Sequence, residues 1–297
     1  MPSAADRHPR PVYSADYLPN LVGIGLRGPH YRDILEQKPD LGWLEVHPEN
    51  YFGGGIHRHF LSQIRADYEI SFHAVGMSLG SAHGLDPDHL HKIKELIDIF
   101  EPFQLSDHAS WSATGNAHLN DLLPLPYTQE TLETLQQNIS IAQDYFARPI
   151  LVENPSTYVS FHADEMPEYE LLNRLAETTG CGLLLDCNNI FVQAHNHGFD
   201  PYHYISQIKP QYVGEIHLAG HSERVIGTET LLIDTHSKRI KPEVWELYGH
   251  ALRHIGTVPT LIEWDLDLPP LSVLMEEAKT ASEIMQHRTN TLREGRL

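Results

Sequence analysis

Imidazole and carboxylate side chains follow short apolar segments at many places in the chain. In residues 183–190 a run of leucines stops at Asp186, and two amides, Asn188 and Asn189, come next. This pattern is typical of a buried parallel strand whose C-terminal end delivers a polar group into a site. Similar side chains stand at or just after the ends of other apolar segments: His47, Glu49, His73, Asp107, His108, Glu153, His217, Asp234, His236 and Glu263.

Together these side chains predict a metal centre. Any one of the histidines, taken alone, is a structural residue in roughly two cases out of three. A converging set of imidazoles and carboxylates would repel one another or stay unsatisfied unless a cation lay among them. Such ligands without thiolates suit iron, manganese or zinc, and their number is enough for two or three ions. Asp234 and His236 support this locally, because residues i and i+2 of an extended segment share one face.

The segments that position these residues alternate between strand and helix patterns. Short apolar runs rich in β-forming residues predict strands that are buried on both faces. Apolar residues at three- and four-residue spacing predict the helices between them. The predicted strands are 21–26, 42–47, 69–74, 103–108, 149–153, 182–186, 212–217 and 260–264, and the predicted helices are 31–37, 56–68, 89–100, 128–146, 168–179, 203–208, 242–254 and 270–287.

This alternation predicts the α/β class and, within it, a single-domain (β/α)8 TIM barrel. A doubly wound open sheet is the alternative, but Gly23, Gly25 and Gly28 do not have the spacing of a dinucleotide-binding loop. Within the 297 residues, we expect residues 1–20 to form a flexible N-terminal arm, residues 21–287 the barrel and residues 288–297 a C-terminal tail.

Composition narrows the class of protein further. The formal net charge is −19, which argues against binding nucleic acid through its phosphates. No apolar run approaches the roughly 18 to 20 residues that span a bilayer, and the N-terminus lacks the apolar region of a secretory signal. Cys181 and Cys187, the only cysteines, lie roughly 20 Å apart if both belong to one strand, too far for a disulfide. We therefore expect a cytoplasmic protein without nucleic-acid or membrane partners.

Three further features have two interpretations each. The glycines of 52–55 (FGGG) indicate a flexible loop rather than a phosphate-binding loop, because the Gly-Lys-Ser/Thr that completes a P-loop is missing. The segment 195–198 (HNHG) fits a surface turn and the rim of an active site equally well. Cys187 is expected to be a small core residue rather than a reactive thiol.

Short motifs along the chain resemble those of the multinuclear non-heme iron-dependent oxidative enzymes. The resemblance extends over roughly residues 21–285, nearly the whole chain. Each motif is short, but together they are specific. They are LVGIG (21–25), LEVHPENY (44–51), SDHASW (106–111), LVENPSTY (151–158), LLDCNN (184–189), NHGFDP (196–201), EIHLAGH (215–221), LIDTH (232–236) and IEWD (262–265).

The resemblance implies a function as well as a fold. It implies a TIM barrel that holds two or three iron ions, in mixed Fe(II) and Fe(III) states, with zinc or manganese as possible substitutes. It also implies dioxygen as co-substrate and oxidation of cysteine residues in a ribosomally made peptide. The expected partners are a Cys-containing precursor peptide and a small protein that recognises its leader.

A wider resemblance, to endonuclease IV and xylose isomerase barrels, organises the ligands. It implies that Glu153 bridges two ions. Asn189 stands where the endonuclease pattern has a histidine, and its amide is a weaker ligand, so a third ion would be held loosely. The other implied ligands are His73 and His108 for the first ion, Asp186, His217 and Glu263 for the second, and Asp234 and His236 for the third.

Of these ligands, Glu153, Asp186 and His217 are the predicted catalytic residues. We expect substrate contacts from His47, Asn154, His195 and His197.

Three other functions share the ligand set. A divalent-metal phosphodiesterase would activate water with zinc or manganese, although the acidic composition and Asn189 disfavour it. A sugar isomerase or epimerase would turn over its substrate without oxygen. A non-catalytic metal-binding protein would hold ions and modify no peptide.

Overall fold

The computed structural model describes residues 18, 21–114 and 117–294. Eight parallel strands close a barrel, and two antiparallel hairpins lie outside it. Numbered along the chain, the barrel strands are β1 (Val22–Gly25), β2 (Trp43–Val46), β3 (Glu69–His73), β4 (Gln104–His108), β7 (Leu151–Glu153), β8 (Gly182–Asp186), β9 (Val213–Leu218) and β12 (Thr260–Ile262). One hairpin pairs β5 (Trp111–Thr114) with β6 (Ala117–Leu123), and the other pairs β10 (Ser222–Ile226) with β11 (Glu229–Ile233).

The barrel strands follow one another in the order β1-β12-β9-β8-β7-β4-β3-β2. Each predicted strand is present, with its ends within two residues of the prediction. The single-domain TIM-barrel prediction is therefore confirmed. The two hairpins were not predicted, and both follow a barrel strand on the side where the candidate ligands lie.

The helices connect the barrel strands. Thr128 begins one of them as predicted, since its hydroxyl accepts a hydrogen bond from Thr131 N at 3.2 Å. The helices are α1 (Tyr31–Gln37), α2 (Gly55–Ile64), α3 (Pro87–Phe100), α4 (Gln129–Phe146), α5 (Glu168–Thr179), α6 (Cys187–His197), α7 (Pro201–Gln207), α8 (Pro242–Ile255) and α9 (Leu271–Glu294).

Three helices differ from the sequence prediction. Helix α2 ends at Ile64, before the predicted end at Tyr68. Helix α6 was not predicted, and it begins at Cys187, so the two cysteines do not share a strand; both are buried and free. Helix α9 continues to Glu294, past the predicted end at His287, because no glycine or proline interrupts it before Gly295. The predicted tail thus begins as helix. The predicted arm, apart from Leu18, and residues 295–297 lie outside the described residues.

The core has two parts. Most buried apolar side chains form one continuous cluster, whereas Leu18, Trp43 and Leu261 form a second cluster. Trp43 begins β2, so this smaller cluster lies toward the N-terminal end of the barrel. Gly23 is required there, since a Cβ at this position would lie 2.6 Å from the Trp43 ring. The opposite end of the barrel is left for polar side chains. Within the described residues, no helix is long and apolar enough to cross a bilayer.

Candidate metal centre

The C-terminal ends of the barrel strands open into a cavity of about 530 Å³. Histidines and carboxylates from several strands line its inner part, and side chains of the loops and of the β5–β6 hairpin line its outer part. Six of the predicted ligands are among the lining residues: His73, His108, Asn189, His236, Glu263 and, at the end of the β10–β11 hairpin, Asp234. The barrel therefore brings residues that are far apart in sequence to one place.

Glu153, the last residue of β7, lies between two of the predicted ligands. Its Oε2 is 3.1 Å from His73 Nε2 and 3.2 Å from His108 Nε2. All three side chains are buried, and their ligand atoms lie within 4.8 Å of one another. Oε2 nevertheless accepts no well-formed hydrogen bond. A buried carboxylate oxygen that faces two imidazole nitrogens without bonding to either is the arrangement expected around a metal ion.

The other oxygen of Glu153 belongs to a second group. Asp186, His217 and Glu263 join it, again with ligand atoms within 4.8 Å and all side chains buried. His217 Nδ1 lies 3.1 Å from Glu263 Oε2 and 3.9 Å from Glu153 Oε1. Glu153 is thus common to both groups, as a bridging ligand must be.

Asp234 and His236 follow the β10–β11 hairpin and form the third predicted group. His236 Nε2 lies 2.7 Å from Asp234 Oδ1 and 4.0 Å from Asp186 Oδ2. His236 has a left-handed backbone, with φ of 42°, a conformation that a non-glycine residue adopts only where its surroundings enforce it. The hairpin therefore directs this pair toward the second group.

Helix α6 fixes Asp186 by capping. Asp186 Oδ1 accepts a hydrogen bond from Asn189 N at 2.7 Å, as an N-cap carboxylate does. Its Oδ2 and the amide oxygen of Asn189 have no hydrogen-bond partner, although both atoms are buried. The neighbouring amide of Asn188 donates to Asp234 Oδ1 at 2.7 Å. One helical turn thus orients ligand atoms of two groups.

Burial and neighbouring charges shift the pKa values of the groups. Burial raises the pKa of Glu153 to about 8 and that of Asp186 to about 7. Burial opposes charging of His108, but Glu153 and other carboxylates outweigh it and raise its pKa to about 9. His73 differs, since burial and the nearby His108 ring hold its pKa well below the usual range. Metal ions would replace the protons that the carboxylates otherwise retain.

Additional carboxylates orient His217 of the second group and His236 of the third group. His217 Nε2 lies 3.3 Å from Glu215 Oε1 and 3.4 Å from Glu45 Oε1. Its other ring nitrogen, Nδ1, therefore faces Glu153 and Glu263 of the second group. His236 Nδ1 lies 3.1 Å from Asp265 Oδ2. Carboxylates in these positions fix the tautomer and the ring orientation of a ligating histidine.

Comparison with known proteins places the chain in a family. The sequence profile of the RiPP precursor modification enzymes MbnB, TglH and ChrH matches residues 21–286. The chain belongs to this family. Relatives include a UPF0276 protein of Vibrio vulnificus, 46% identical over 266 residues that cover 89% of this chain and 91% of the relative. A UPF0276 protein of Psychromonas ingrahamii is 47% identical over 267 residues, covering 89% and 94%.

Solved structures share the fold at much lower sequence identity. An L-ribulose 3-epimerase superposes with a TM-score of 0.58 at 13% identity, covering 92% of this chain and 96% of its own. A xylose isomerase-like TIM barrel protein from Mycobacterium smegmatis, in complex with magnesium, gives 0.56 at 13% identity, covering 93% and 99%. The chain therefore shares the TIM-barrel fold with these proteins.

Sequence reasoning missed residues that support this site. Asp265 contacts His236 and belongs to a further group of possible ligands with His47 and Glu263. Its position two residues after Glu263 was a usable signal, the same one that paired Asp234 with His236. Arg27, whose Nε donates to Asp265 Oδ1 at 3.0 Å, carries no such signal.

The predicted substrate-contacting residues lie in different places. His47 lines the metal cavity, with Nε2 3.2 Å from Arg27 Nη2. Asn154 is completely buried, and its amide bonds to the backbone N and O of Asp186 at 2.9 and 3.1 Å. His195 is exposed and donates to Thr230 O at 2.9 Å, and His197 lines a neighbouring cavity. The structure brings His47 alone of these four to the metal cavity, and substrate contact stays a prediction for all four.

Proposed function

We propose that this enzyme is an oxygen-dependent, multinuclear iron oxidase that modifies a cysteine residue of a ribosomally synthesised peptide. The observation that carries the proposal is the set of buried oxygens without hydrogen-bond partners at the ends of β7 and β8: Glu153 Oε2, Asp186 Oδ2 and Asn189 Oδ1. Each belongs to a predicted ligand, and each would be satisfied by an ion at the point where the groups meet.

Two or three ions fit the arrangement. The first would be held by His73, His108 and Glu153, and the second by Glu153, Asp186, His217 and Glu263, groups that share only the bridging carboxylate. The third would be held by Asp234 and His236, with Asn189 as its weakest ligand. Iron bound in this way would supply the one-electron chemistry that activates dioxygen.

The protein's own residues would position the peptide and exclude water. The cavity of about 530 Å³ is large enough for a cysteine and its flanking backbone. Leu122 and Leu123 of the hairpin and Leu266 after β12 form apolar walls, which strengthen electrostatic interactions at the ions by limiting access of water. His47, oriented by Arg27, would face the bound peptide.

The partners and setting belong to the same proposal. We place the enzyme in the cytoplasm, acting on a Cys-containing precursor peptide with the help of a small leader-recognition protein. Residues 21–287 would form the catalytic unit. The net charge of −19 favours a basic peptide or partner, so binding should weaken at high salt.

An oxygen-dependence experiment tests the proposed reaction. The enzyme is purified anaerobically, loaded with Fe(II), and mixed with the Cys-containing peptide encoded beside its gene. We expect the peptide mass to change only after dioxygen is admitted, and a Cys→Ser peptide to stay unchanged. An equal mass change in both atmospheres would exclude an oxidase.

The same preparation distinguishes the alternative functions. Anaerobic cleavage of a phosphodiester would support the hydrolase, and anaerobic epimerisation of a ketose the sugar isomerase. Bound iron, measured by Mössbauer spectroscopy, without turnover of the peptide would support a metal-binding protein.

A further inference from the structure

A second cavity, of about 420 Å³, lies beside the metal cavity. Pro124 and Val159 line both cavities, so the two cavities adjoin at these residues. The second cavity is built from the loops after β6 and β7, the start of α5 and the segment that joins α6 to α7. No predicted metal ligand lines it among the residues that the structure describes.

Aromatic rings dominate the walls of this cavity, and they come from separate parts of the chain. Phe161 and Phe199 stand at its rim, 37% and 38% exposed, while Tyr204 is buried. Tyr127 and Tyr169 complete the aromatic lining. Aromatic faces from several directions attract a flat or cationic group through the negative electrostatic potential over each ring.

A buried carboxylate stands behind two of these rings. Glu168 accepts hydrogen bonds from Tyr127 Oη at 2.5 Å, from Tyr204 Oη at 2.7 Å and from Gln193 Nε2 at 3.2 Å. Because both phenol protons point at Glu168, the phenol oxygens keep only lone pairs for a ligand. These two phenols therefore offer only acceptors to a ligand, which favours a ligand that donates.

The charges around the cavity have one sign. Asp164, Glu168 and Asp200 line it together with two histidines, His197 and His203, and among its described lining residues there is no lysine or arginine. Asp164 and Asp200 also accept hydrogen bonds from backbone N–H groups of Tyr127 and Tyr202, at 2.8 and 2.9 Å, which holds them in place. The cavity thus combines aromatic faces, fixed acceptors and negative charge.

We propose that this cavity binds an arginine side chain of the precursor peptide, an inference that rests on the proposed function. A guanidinium group is planar, carries five donors and stacks on aromatic rings, so it matches all three properties of the cavity. Anchoring an arginine there would fix which cysteine along the peptide reaches the metal cavity. The cavity would then determine the position of modification.

A binding experiment with small probes tests this inference without turnover. Nα-acetyl-arginine N-methylamide and its uncharged analogue, the citrulline derivative, are titrated into the full-length protein and followed by ligand-observed NMR. We expect the arginine probe to bind roughly tenfold more tightly. Phe161→Ala, at the exposed rim, should weaken the arginine probe severalfold, and Tyr145→Ala, which is 41% exposed on α4, should leave it unchanged.

Equal affinity for the two probes, or unchanged affinity in Phe161→Ala, would overturn the inference. So would equally tight binding of the phenylalanine derivative, which would make the cavity a hydrophobic site. Failure of the proposed function is a separate result: the probe would bind as expected while the peptide stayed unmodified in oxygen. If a peptide is oxidised but the protein shows no preference for the arginine probe, the proposed function stands and only the arginine-binding role of the second cavity is rejected.

Discussion

The two neighbouring cavities are built in opposite ways. The inner surface of the metal cavity is formed by the ends of barrel strands. Its carboxylate oxygens lack hydrogen-bond donors or lie close to imidazole rings. The aromatic cavity takes its surface from loops and helix starts, and its one deeply buried carboxylate, Glu168, accepts three hydrogen bonds. A buried acid with a full set of donors needs no ion, whereas one without them does. A buried carboxylate that lacks hydrogen-bond donors indicates a metal site, whereas one that has them is structural. The number of acidic groups is a weaker indicator.

The largest effect is expected from the shared carboxylate of the metal cavity. Glu153→Gln removes the charge common to two ligand groups, so metal content should fall by more than one ion per chain and peptide oxidation should be lost. Metal analysis of the purified protein and the oxygen-dependent mass change measure both. Glu36→Gln, an exposed glutamate, is the control. Full metal content in Glu153→Gln would contradict the bridging role.

Asp265→Asn tests the outer support of the third group. The variant weakens the contact that orients His236 Nδ1, so affinity for the third ion should fall roughly 10- to 100-fold. Asp267→Asn, two residues further on and exposed, should have no effect; like Asp265 it carries one carboxylate, but among the described residues its ion pair is with Lys238 at 3.8 Å. Titration with a chelator compares the two variants. Equal loss in both would assign the effect to the loop rather than to His236.

Metal affinity should rise with pH. Glu153, with a pKa of about 8, and His108, with a pKa of about 9, hold protons at neutral pH in the metal-free protein. Because metal and protons compete for the same lone pairs, affinity should increase as pH rises toward these values, by up to about tenfold per pH unit for each proton displaced. Competition titrations with Mn(II) at pH 6.5 and 8.0 measure this slope. A flat profile would show that the ligands are already deprotonated.

The smallest effect is expected in the aromatic cavity. Tyr204→Phe removes one of the three donors to Glu168, which should lower the free energy of unfolding by about 1–2 kcal/mol without changing metal content. Urea denaturation measures the stability. Tyr202→Phe, on the same helix but 38% exposed, should change it by less than about 0.5 kcal/mol. Loss of metal in Tyr204→Phe would contradict the view that the aromatic cavity and the metal cavity are independent.

The barrel could be predicted because its strands are buried on both faces, which leaves continuous apolar runs such as 182–186. The two hairpins could not, since β10 is mostly exposed and carries charges and apolar residues without clear alternation. Helix α6 was missed for a different reason. Its first turn contains Asn188 and Asn189, residues that favour loops, and the capping bond of Asp186 becomes visible only in three dimensions.

The candidate site could be predicted as a set of residue types but not as a set of contacts. The strand-end rule found His73, His108, Glu153 and His217, because the fold alone decides that such residues converge. It could not find Arg27 or the aromatic cavity, which depend on how loops pack against one another.

Asp186 caps helix α6 and is also a predicted metal ligand, and this combination affects how ions would enter the site. Its Oδ1 is held by the helix cap, and the backbone around it by the amide of Asn154, so the carboxylate has one orientation before any ion arrives. The loss of side-chain freedom that usually accompanies coordination has already occurred during folding. Metal loading at this ligand is therefore preorganised, and the rate and affinity of loading should depend on the stability of helix α6.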